Sequence, residues 1–588
     1  MDTKVINKSE VKNALKIPGV AGNVVAALAM KVAGFDKLNE MYSHVSEYDG
    51  IDFIDKLIEY LGITIEYNKE ALQSVPKEGK LLITSNHPFG GLDGMVALTI
   101  LSKVRPDIKV LTNMFVAQIP NTKQYFIPVN TTYGFGRIVR SSYTGLRQAD
   151  EHLNSGGALV VFPAGEVSST IDTEWQPTLI RMARRAQATI LPIYFNGENS
   201  WYFQLLNKIS VKLSDLRLPG ELSNKKGKEI LMRIGSHINS VELDSFKDDK
   251  SIAKYLRSRS YALEADTNFT PIKTESSLPI LPPIDTELLL KEIEENKEAK
   301  LFTVGNYSSY LLDYEKIPNL MKEIGIRREE AFRDVGEGTG KELDIDDYDK
   351  YYKHLILWDD NKKDLVGAYR IGLGKEILKQ YGIKGFYSDT LFRYKEDFKG
   401  VLSESVELGR SFVSLSHQKD TMGLILLLKG LFYVMIRNQE YNHLLGPVSI
   451  SSWYPLFYRS VMIHYLREKA ADKRYKGLLS PKYPFVEDFG RVEVDYFVGN
   501  KMDNLEGFDR YLYRVSSGKY RLPTLVKKYL KLGAKIIDFN VDPDFNYCVD
   551  GLIMLTLKNI PTDDLDSLSR EFDDQKSIYS RFYGSEIE

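Results

Sequence analysis

Three short apolar runs punctuate the first half of the chain. Leu81-Leu-Ile-Thr ends in Ser85-Asn86-His87, Ala158-Leu-Val-Val ends in Phe162-Pro163-Ala164-Gly165-Glu166, and Ile190–Phe195 carries Pro192 inside it. Runs this short, closed by glycine, proline and small polar residues, predict buried strands. Between and around them lie a helix followed by a strand over Ile51–Tyr67 and a strand at Gln124–Asn130. A basic helix with Arg140 and Arg147 follows, then a second with Arg181, Arg184 and Arg185 along its edge, and a helix over Ile252–Leu263. Strands alternating with helices predict an α/β domain. The arginine edge suits an anionic partner, although such a run is more often a solvated face. The apolar segment Ile17–Met30, flanked by Lys16 and Lys31, fits equally a packed helix and one lying in a membrane interface.

The pattern breaks near residue 268. Pro271, Pro279, Pro282 and Pro283 make a stiff, extended connector, so the expected organisation is a domain over 1–267, a linker over 268–285 and a second domain over 286–588. No internal repeat relates the halves. The second half opens with a helix, Thr286–Glu298, a strand at Leu301–Val304 and helical segments to Arg333. Strands at His354–Trp358 and Leu365–Ile371 are joined by the polar turn Asp359–Asp364, which predicts an α+β domain. Ser403–Val413 reads as a further strand, where alternation puts Glu407 and Gly409 on one face and Leu408 and Arg410 on the other. The loop Ser416–Gly423 opens an apolar helix, Leu424–Ile436, whose Leu424–Phe432 face reads as core rather than lipid contact. The N-terminus of such a helix suits a phosphate group. Asp344, Asp346, Asp347 and Asp349 lack the glycine and distal glutamate of a calcium loop, so no metal is expected.

Composition narrows the classes. The chain has 588 residues and a net charge of −2, which gives no basic field for nucleic acid. Its single cysteine, Cys548, forms no intramolecular disulfide and fits a reducing cytoplasm. The start reads as no secretory signal, and no apolar run reaches the roughly 18–20 residues that span a bilayer.

His87 closes a predicted strand and Asp93 opens a predicted helix across a turn broken by Pro88, Gly90 and Gly91. A carboxylate so placed fixes one imidazole tautomer and leaves the other ring nitrogen to take a proton from a hydroxyl. A glycine-rich turn with a locally bonded histidine is the plainer alternative for His87 alone.

NHPFGGLD, then FPAGE, then the strand with Pro192, in this order over roughly residues 60–210, resemble the glycerolipid O-acyltransferases. Two departures stand out. Five residues separate His87 from Asp93 where that family has four, and Ala164, Glu166 and Val167 stand where it has Glu, Thr and Arg. This form looks like the branch that O-acylates N-acyl amino acids, as in ornithine-lipid and glycine-lipid synthesis. The resemblance implies His87 and Asp93 as the catalytic pair. It makes Asn86, Gly90, Gly91, Phe162, Pro163, Gly165 and Glu166 substrate-binding, with Arg137 meeting a carboxylate. The strand pair, Glu407-Leu-Gly-Arg410-Ser411-Phe-Val and the following helix, over roughly 300–480, resemble the GNAT-like amino-acid N-acyltransferases. This resemblance implies Glu407, or a water it holds, as acceptor of the amine proton. Arg410 would hold the amino acid's carboxylate or the carrier phosphate, and Ser411 and Gly423 would line the site. Gln418 and Gly423 do not make a clean Q/RxxGxG/A motif, which favours acyl carrier protein as donor over acyl-coenzyme A; no bound cofactor is expected.

Together the two resemblances imply a bifunctional acyltransferase. The C-terminal domain would join a 3-hydroxyacyl group to an amino acid, and the N-terminal domain would esterify the 3-hydroxyl, giving a phosphorus-free aminolipid. Its partners would be acyl carrier protein, the amino acid and lipid substrates, and the cytoplasmic face of the inner membrane, where it would sit peripherally. The rival readings are a lysophospholipid acyltransferase fused to an unrelated N-acyltransferase, and a non-catalytic, hemolysin-like membrane-binding protein.

Overall fold

The computed structural model describes residues 4–569 except 7, 10–11, 13–18, 114–115, 130–139, 169, 210, 268, 271–276 and 500–502. Arg137 therefore lies outside the described residues, as does part of the proline-rich connector. The chain divides into two compact units, Met1–Asn268 with Phe489–Arg521, and Phe269–Asp488 with Leu522–Glu588.

The first unit is built on a seven-stranded sheet. Its strands are β1 (Thr64–Tyr67), β2 (Leu81–Ser85), β3 (Lys109–Asn113), β4 (Phe126–Val129), β5 (Ala158–Val161), β6 (Thr189–Asn196) and β7 (Glu229–Ile234). They lie in the order β1-β7-β6-β2-β5-β3-β4. Every described pair is parallel except β6 with β7. Helices cover both faces, so the central strands are apolar without alternation. All five residues of β2 are buried; Leu81 and Ile83 enter one core layer and Leu82 the other. The carboxyl end of β2 is thus where a side chain first escapes the two layers, and His87 follows it after the buried Asn86. Phe489–Arg521 joins this unit although it lies inside the expected second domain. Arg514 Nη2 pairs with Glu242 Oε2 at 2.6 Å, Lys254 Nζ with Glu493 Oε2 at 3.0 Å, and Tyr511 is buried.

The second unit holds an eight-stranded sheet. Its strands are β8 (Lys300–Val304), β9 (Tyr307–Asp313), β10 (Lys353–Asp359), β11 (Asp364–Leu373), β13 (Ser405–Val413), β14 (His443–Ile450), β16 (Lys535–Asp542) and β17 (Cys548–Thr556). The order is β16-β17-β14-β13-β11-β10-β9-β8, and β12 (Phe392–Tyr394) pairs separately with β15 (Leu479–Pro481). β9 replaces part of the helical stretch expected before Arg333; its Ser308-Ser309 pair hides the apolar alternation.

All neighbours in the large sheet are antiparallel except β13 and β14, which pair in parallel only over Ser405–Glu407 and His443–Leu445. Beyond that point β13 continues on β11 and β14 on β17, so the sheet forks. Gly446 sits at the fork: a Cβ there would stand 2.2 Å from the Leu408 carbonyl oxygen. On the β13 arm a bulge opposite Ala368–Arg370 places Arg410 at φ +50°. This corrects the simple alternation, because the bulge turns Arg410 back toward Tyr387, the residue whose backbone also meets Glu407.

Candidate functional site

In the first unit the turn after β2 brings His87 onto the first turn of the helix Gly91–Leu101 (α1). His87 Nδ1 and Asp93 Oδ2 are 2.9 Å apart, and the same oxygen accepts the Phe89 N–H at 2.9 Å. A carboxylate oxygen accepts in both bonds, so Nδ1 carries the imidazole proton and Nε2 is left as the acceptor. Asp93 is fully buried and its Oδ1 has no hydrogen-bond partner. Burial pushes its carboxyl above the ordinary aspartate value, against the pull of His87. The imidazole keeps 17% of its side-chain surface and stacks on Phe162, with ring centroids 4.1 Å apart. Gly90 makes the turn at φ +73°, and a Cβ there would meet Leu218 at 3.2 Å.

A second buried carboxylate, Asp172, holds this turn from behind. Its Oδ1 accepts the His87 N–H at 3.2 Å and its Oδ2 the Trp175 Nε1–H at 2.9 Å, while its carbonyl accepts from Arg257. Ser168 N donates to the His87 carbonyl at 2.9 Å. Phe162 and its successors therefore reach His87 by ring stacking and through this loop. Lys225 lies 4.2 Å from the Phe89 ring centroid and donates to the Glu198 carbonyl at 2.6 Å; burial lowers its pKa. Sequence reasoning named neither Asp172 nor Lys225, because neither belongs to a spaced motif.

The other residues named from sequence fall in different places. Asn86 is buried, donating from Nδ2 to the Phe195 carbonyl at 2.8 Å and accepting the Phe195 N–H at 2.8 Å. It extends β2 along β6 by side chain. Asn86→Ala is expected to cost about 1–3 kcal/mol by leaving the Phe195 groups unpaired, read as a lower urea midpoint. A raised KM at an unchanged midpoint would contradict that role. Gly91 starts α1, and the Pro163 carbonyl accepts from Gln176 N at 2.8 Å. Gly165 is exposed at φ +75° with its N–H donated to the Phe162 carbonyl at 3.0 Å, and Glu166 is half-buried beside it.

In the second unit Glu407 is buried and held by three donors. Its carboxylate accepts Tyr387 N at 2.8 Å, Ser388 N at 2.9 Å and a short bond from the Tyr352 hydroxyl. Burial raises its pKa against those bonds. Three arginines and three aspartates of the same unit form an ion-pair network. Arg328 pairs with Asp344 at 2.9 Å and Asp349 at 3.0 Å, Arg370 with Asp346 at 2.6 Å, and Arg410 with Asp344 at 3.1 Å and Asp346 at 3.3 Å. These pairs account for three of the four aspartates of the acidic run. Among the described residues no group of His, Cys, Asp and Glu is arranged to hold a metal. The Arg410 guanidinium also lies 4.3 Å from the Phe545 ring centroid and donates to the Tyr387 hydroxyl at 3.2 Å. Ser411 is half-buried on β13, and Gly423 packs on Val366 in the first turn of the helix Thr421–Arg437.

A further group, unforeseen from sequence, lies on the β14 side of the fork. Asp550 is paired across the sheet with Ser449, whose hydroxyl donates to its Oδ1 at 2.7 Å, and Cys548 Sγ stands 3.8 Å away. Burial, reinforced by Asp542, pushes the Asp550 carboxyl up to about 7; burial and Asp550 push Glu337 up to about 8.

The acyltransferase family matches residues 10–269, and the acetyltransferase (GNAT) domain family matches residues 327–428. A glycine N(alpha)-acyltransferase of Phocaeicola vulgatus is 30% identical over 286 residues, 46% of this chain and 85% of that protein. A lyso-glycine lipid O-acyltransferase of Bacteroides thetaiotaomicron is 25% identical over 255 residues, 41% of this chain and 89% of that protein. A solved 1-acyl-sn-glycerophosphate acyltransferase of Thermotoga maritima aligns over 42% of this chain and 91% of its own, at 14% identity and a TM-score of 0.27, too loosely to carry an argument. With an N-terminal acyltransferase domain and a C-terminal GNAT domain, the chain is an acyltransferase and belongs to the family of the glycine N(alpha)-acyltransferases.

Proposed function

We propose that the chain makes a phosphorus-free aminolipid by two acylations: a 3-hydroxyacyl group is joined to the amine of glycine in the GNAT domain, and the 3-hydroxyl is then esterified in the N-terminal domain. The observation that carries this reading is the similarity of one chain to proteins of both kinds, a glycine N(alpha)-acyltransferase and a lyso-glycine lipid O-acyltransferase. The geometry around His87 supports the second step. A secondary hydroxyl is a weak nucleophile at neutral pH, and His87 Nε2 is free to take its proton while Asp93 steadies the imidazolium that forms. The hydroxyl oxygen attacks the thioester carbonyl, the carbon–sulfur bond breaks, and the imidazolium returns the proton to the leaving thiolate. The first turn of α1 starts at Gly91 with no side-chain cap, and its N–H groups suit the oxyanion or a carrier phosphate.

The donor is an acyl thioester, and the missing Q/RxxGxG/A pattern at Gln418–Gly423 supports acyl carrier protein. A peripheral seat on the inner membrane face is supported by one apolar surface. No helix among the described residues is long and apolar enough to cross a membrane. The helices Gly19–Ala33 and Trp201–Ile209 both pack on Val211–Asn224 and leave Val24, Leu28, Val32, Trp201, Leu205 and Ile209 exposed. Arg217 ties the two, donating to the Val32 carbonyl at 2.6 Å and lying 5.8 Å from the Tyr202 ring centroid, and its neighbour Leu218 borders Gly90 beside His87. Each such side chain moved from water into the interface is worth about 1.5–3 kcal/mol. The double variant Leu28→Glu/Trp201→Glu is therefore expected to lose co-sedimentation with phosphatidylethanolamine–phosphatidylglycerol vesicles at least about tenfold. Unchanged sedimentation would remove this surface from the account.

The direct test supplies the purified chain with synthetic N-(3-hydroxypalmitoyl)glycine and palmitoyl carrier protein. Formation of the O-palmitoyl ester is expected. Acylation of lysophosphatidic acid in its place would favour the phospholipid alternative.

A further inference from the structure

Beyond Glu407 and Leu445 the strands β13 and β14 part, and the two arms of this fork carry a cation and a carboxylate. On the β13 arm stands Arg410, lifted by the bulge. On the other arm stands Asp550, 4% exposed, at the β14–β17 pairing. The two feel each other's charge, and both act on the Tyr387 hydroxyl. Glu407 has its carboxylate engaged by two backbone N–H groups and a tyrosine hydroxyl, which leaves it no free role in moving a substrate proton. The bonds to Asp550 are fewer and weaker: the Ser449 hydroxyl on Oδ1, and the Cys548 thiol at 3.8 Å from either oxygen.

We propose that Asp550 is the catalytic carboxylate of the N-acyl transfer: it takes a proton from the α-ammonium of the amino acid. Glu407 is a positioning residue that fixes the Tyr387–Ser388 backbone. The assignment rests on the aminolipid reading above and names the residue that its first step needs. The ammonium N–H bond breaks and an O–H bond forms on Asp550. The freed amine attacks the thioester carbonyl, a carbon–nitrogen bond forms and the carbon–sulfur bond breaks. The second amine proton leaves to the thiolate, and Asp550 returns its proton to water.

The groups around Asp550 bear on its ionisation. Asp542 from β16 and Glu337 from the loop after the helix Pro318–Asp334 disfavour the carboxylate; Arg410 from β13, the Ser449 hydroxyl and the Cys548 thiol favour it. With the carboxyl held at about 7, Asp550 becomes ionised, and so competent, as the pH rises through neutrality.

The test measures release of coenzyme A thiol and N-acylglycine from 3-hydroxypalmitoyl-coenzyme A and glycine, using the full chain and its Asp550→Asn and Glu407→Gln variants. At pH near 7, Asp550→Asn is expected to lose about 10²- to 10⁴-fold in kcat/KM. Without a base the variant depends on free amine, so its deficit should shrink about tenfold for each further pH unit, until glycine itself deprotonates. Glu407→Gln should keep the wild-type pH profile. A deficit in Asp550→Asn that is below threefold, or that stays constant with pH, overturns the assignment while leaving the aminolipid reading intact. Asp550→Glu separates misfolding from chemistry: it should restore part of the rate with a displaced pH profile, and a dead Asp550→Glu with an unchanged melting temperature counts against the proposal. Failure of the wild type to acylate any amino acid from this donor or from 3-hydroxypalmitoyl carrier protein overturns the aminolipid reading and the assignment with it.

Discussion

His87→Ala is expected to abolish the second acylation, lowering O-acyl transfer by about 10²- to 10⁴-fold, while N-acylation continues and the mono-acylated product accumulates. The expectation follows from where the residue sits. β2 is buried along its whole length and delivers His87 at the sheet's carboxyl edge. Asp172 holds the His87 backbone at 3.2 Å, Phe162 stacks on the ring, and Asp93 Oδ2 fixes Nδ1 at 2.9 Å. The only part of the imidazole left to do chemistry is Nε2. Asp93→Asn should fall by a similar order, because the amide can donate to Nδ1 and turn the ring to the wrong tautomer. The check is a rate assay on synthetic N-acylglycine, with the urea midpoint of each variant as control. Wild-type O-acylation in His87→Ala would contradict the site.

The largest effect on stability is expected from Arg328→Ala. Arg328 is 1% exposed and binds Asp344 and Asp349 together. Removing it leaves two buried carboxylates short of a cation, which costs about 3–5 kcal/mol. Arg328→Lys keeps the charge but loses the two-pronged geometry and should recover only part. Burial raises the pKa of Asp349, yet Arg328 and Arg370 outweigh it and hold the carboxyl well below its ordinary value of 3.8. A depressed carboxyl stabilises the fold above its unfolded pKa and loses that contribution as pH falls through the folded one. The gap between wild type and Arg328→Ala should therefore be widest at neutral pH and narrow below about pH 4. Urea titrations at pH 7 and pH 3 measure it; equal gaps would show that the ion pairs do not carry the effect.

Much of this architecture was legible in the sequence where chemistry and local structure coincide. His87 and Asp93 lie within one strand–turn–helix, so a short motif carries both the geometry and the pair. Double-sided burial was legible because β2 and β5 are apolar without alternation. What could not be read arises from contacts between distant segments. Asp172 meets the His87 backbone across 85 positions. Phe489–Arg521 returns to the first unit through pairs such as Arg514 with Glu242. Asp550 stands on β17, which pairs with the whole of β14, so its Ser449 partner lies 101 positions away, on the arm of the fork that parts from β13 beyond Leu445. The bulge at Arg410 defeats the period of two on which the reading of Glu407 and Arg410 depended. The acidic run drew attention as charge alone, and its arginine partners at 328, 370 and 410 come from three other elements.

The central claim is two sequential acylations by one chain. The most direct measurement is mass spectrometry of lipids from a host that lacks aminolipids, expressing the wild type, His87→Ala and Asp550→Asn. The account predicts a diacylated glycine lipid from the wild type, the mono-N-acylated form alone from His87→Ala, and neither from Asp550→Asn. An unchanged aminolipid profile with altered glycerophospholipid acyl chains would contradict it.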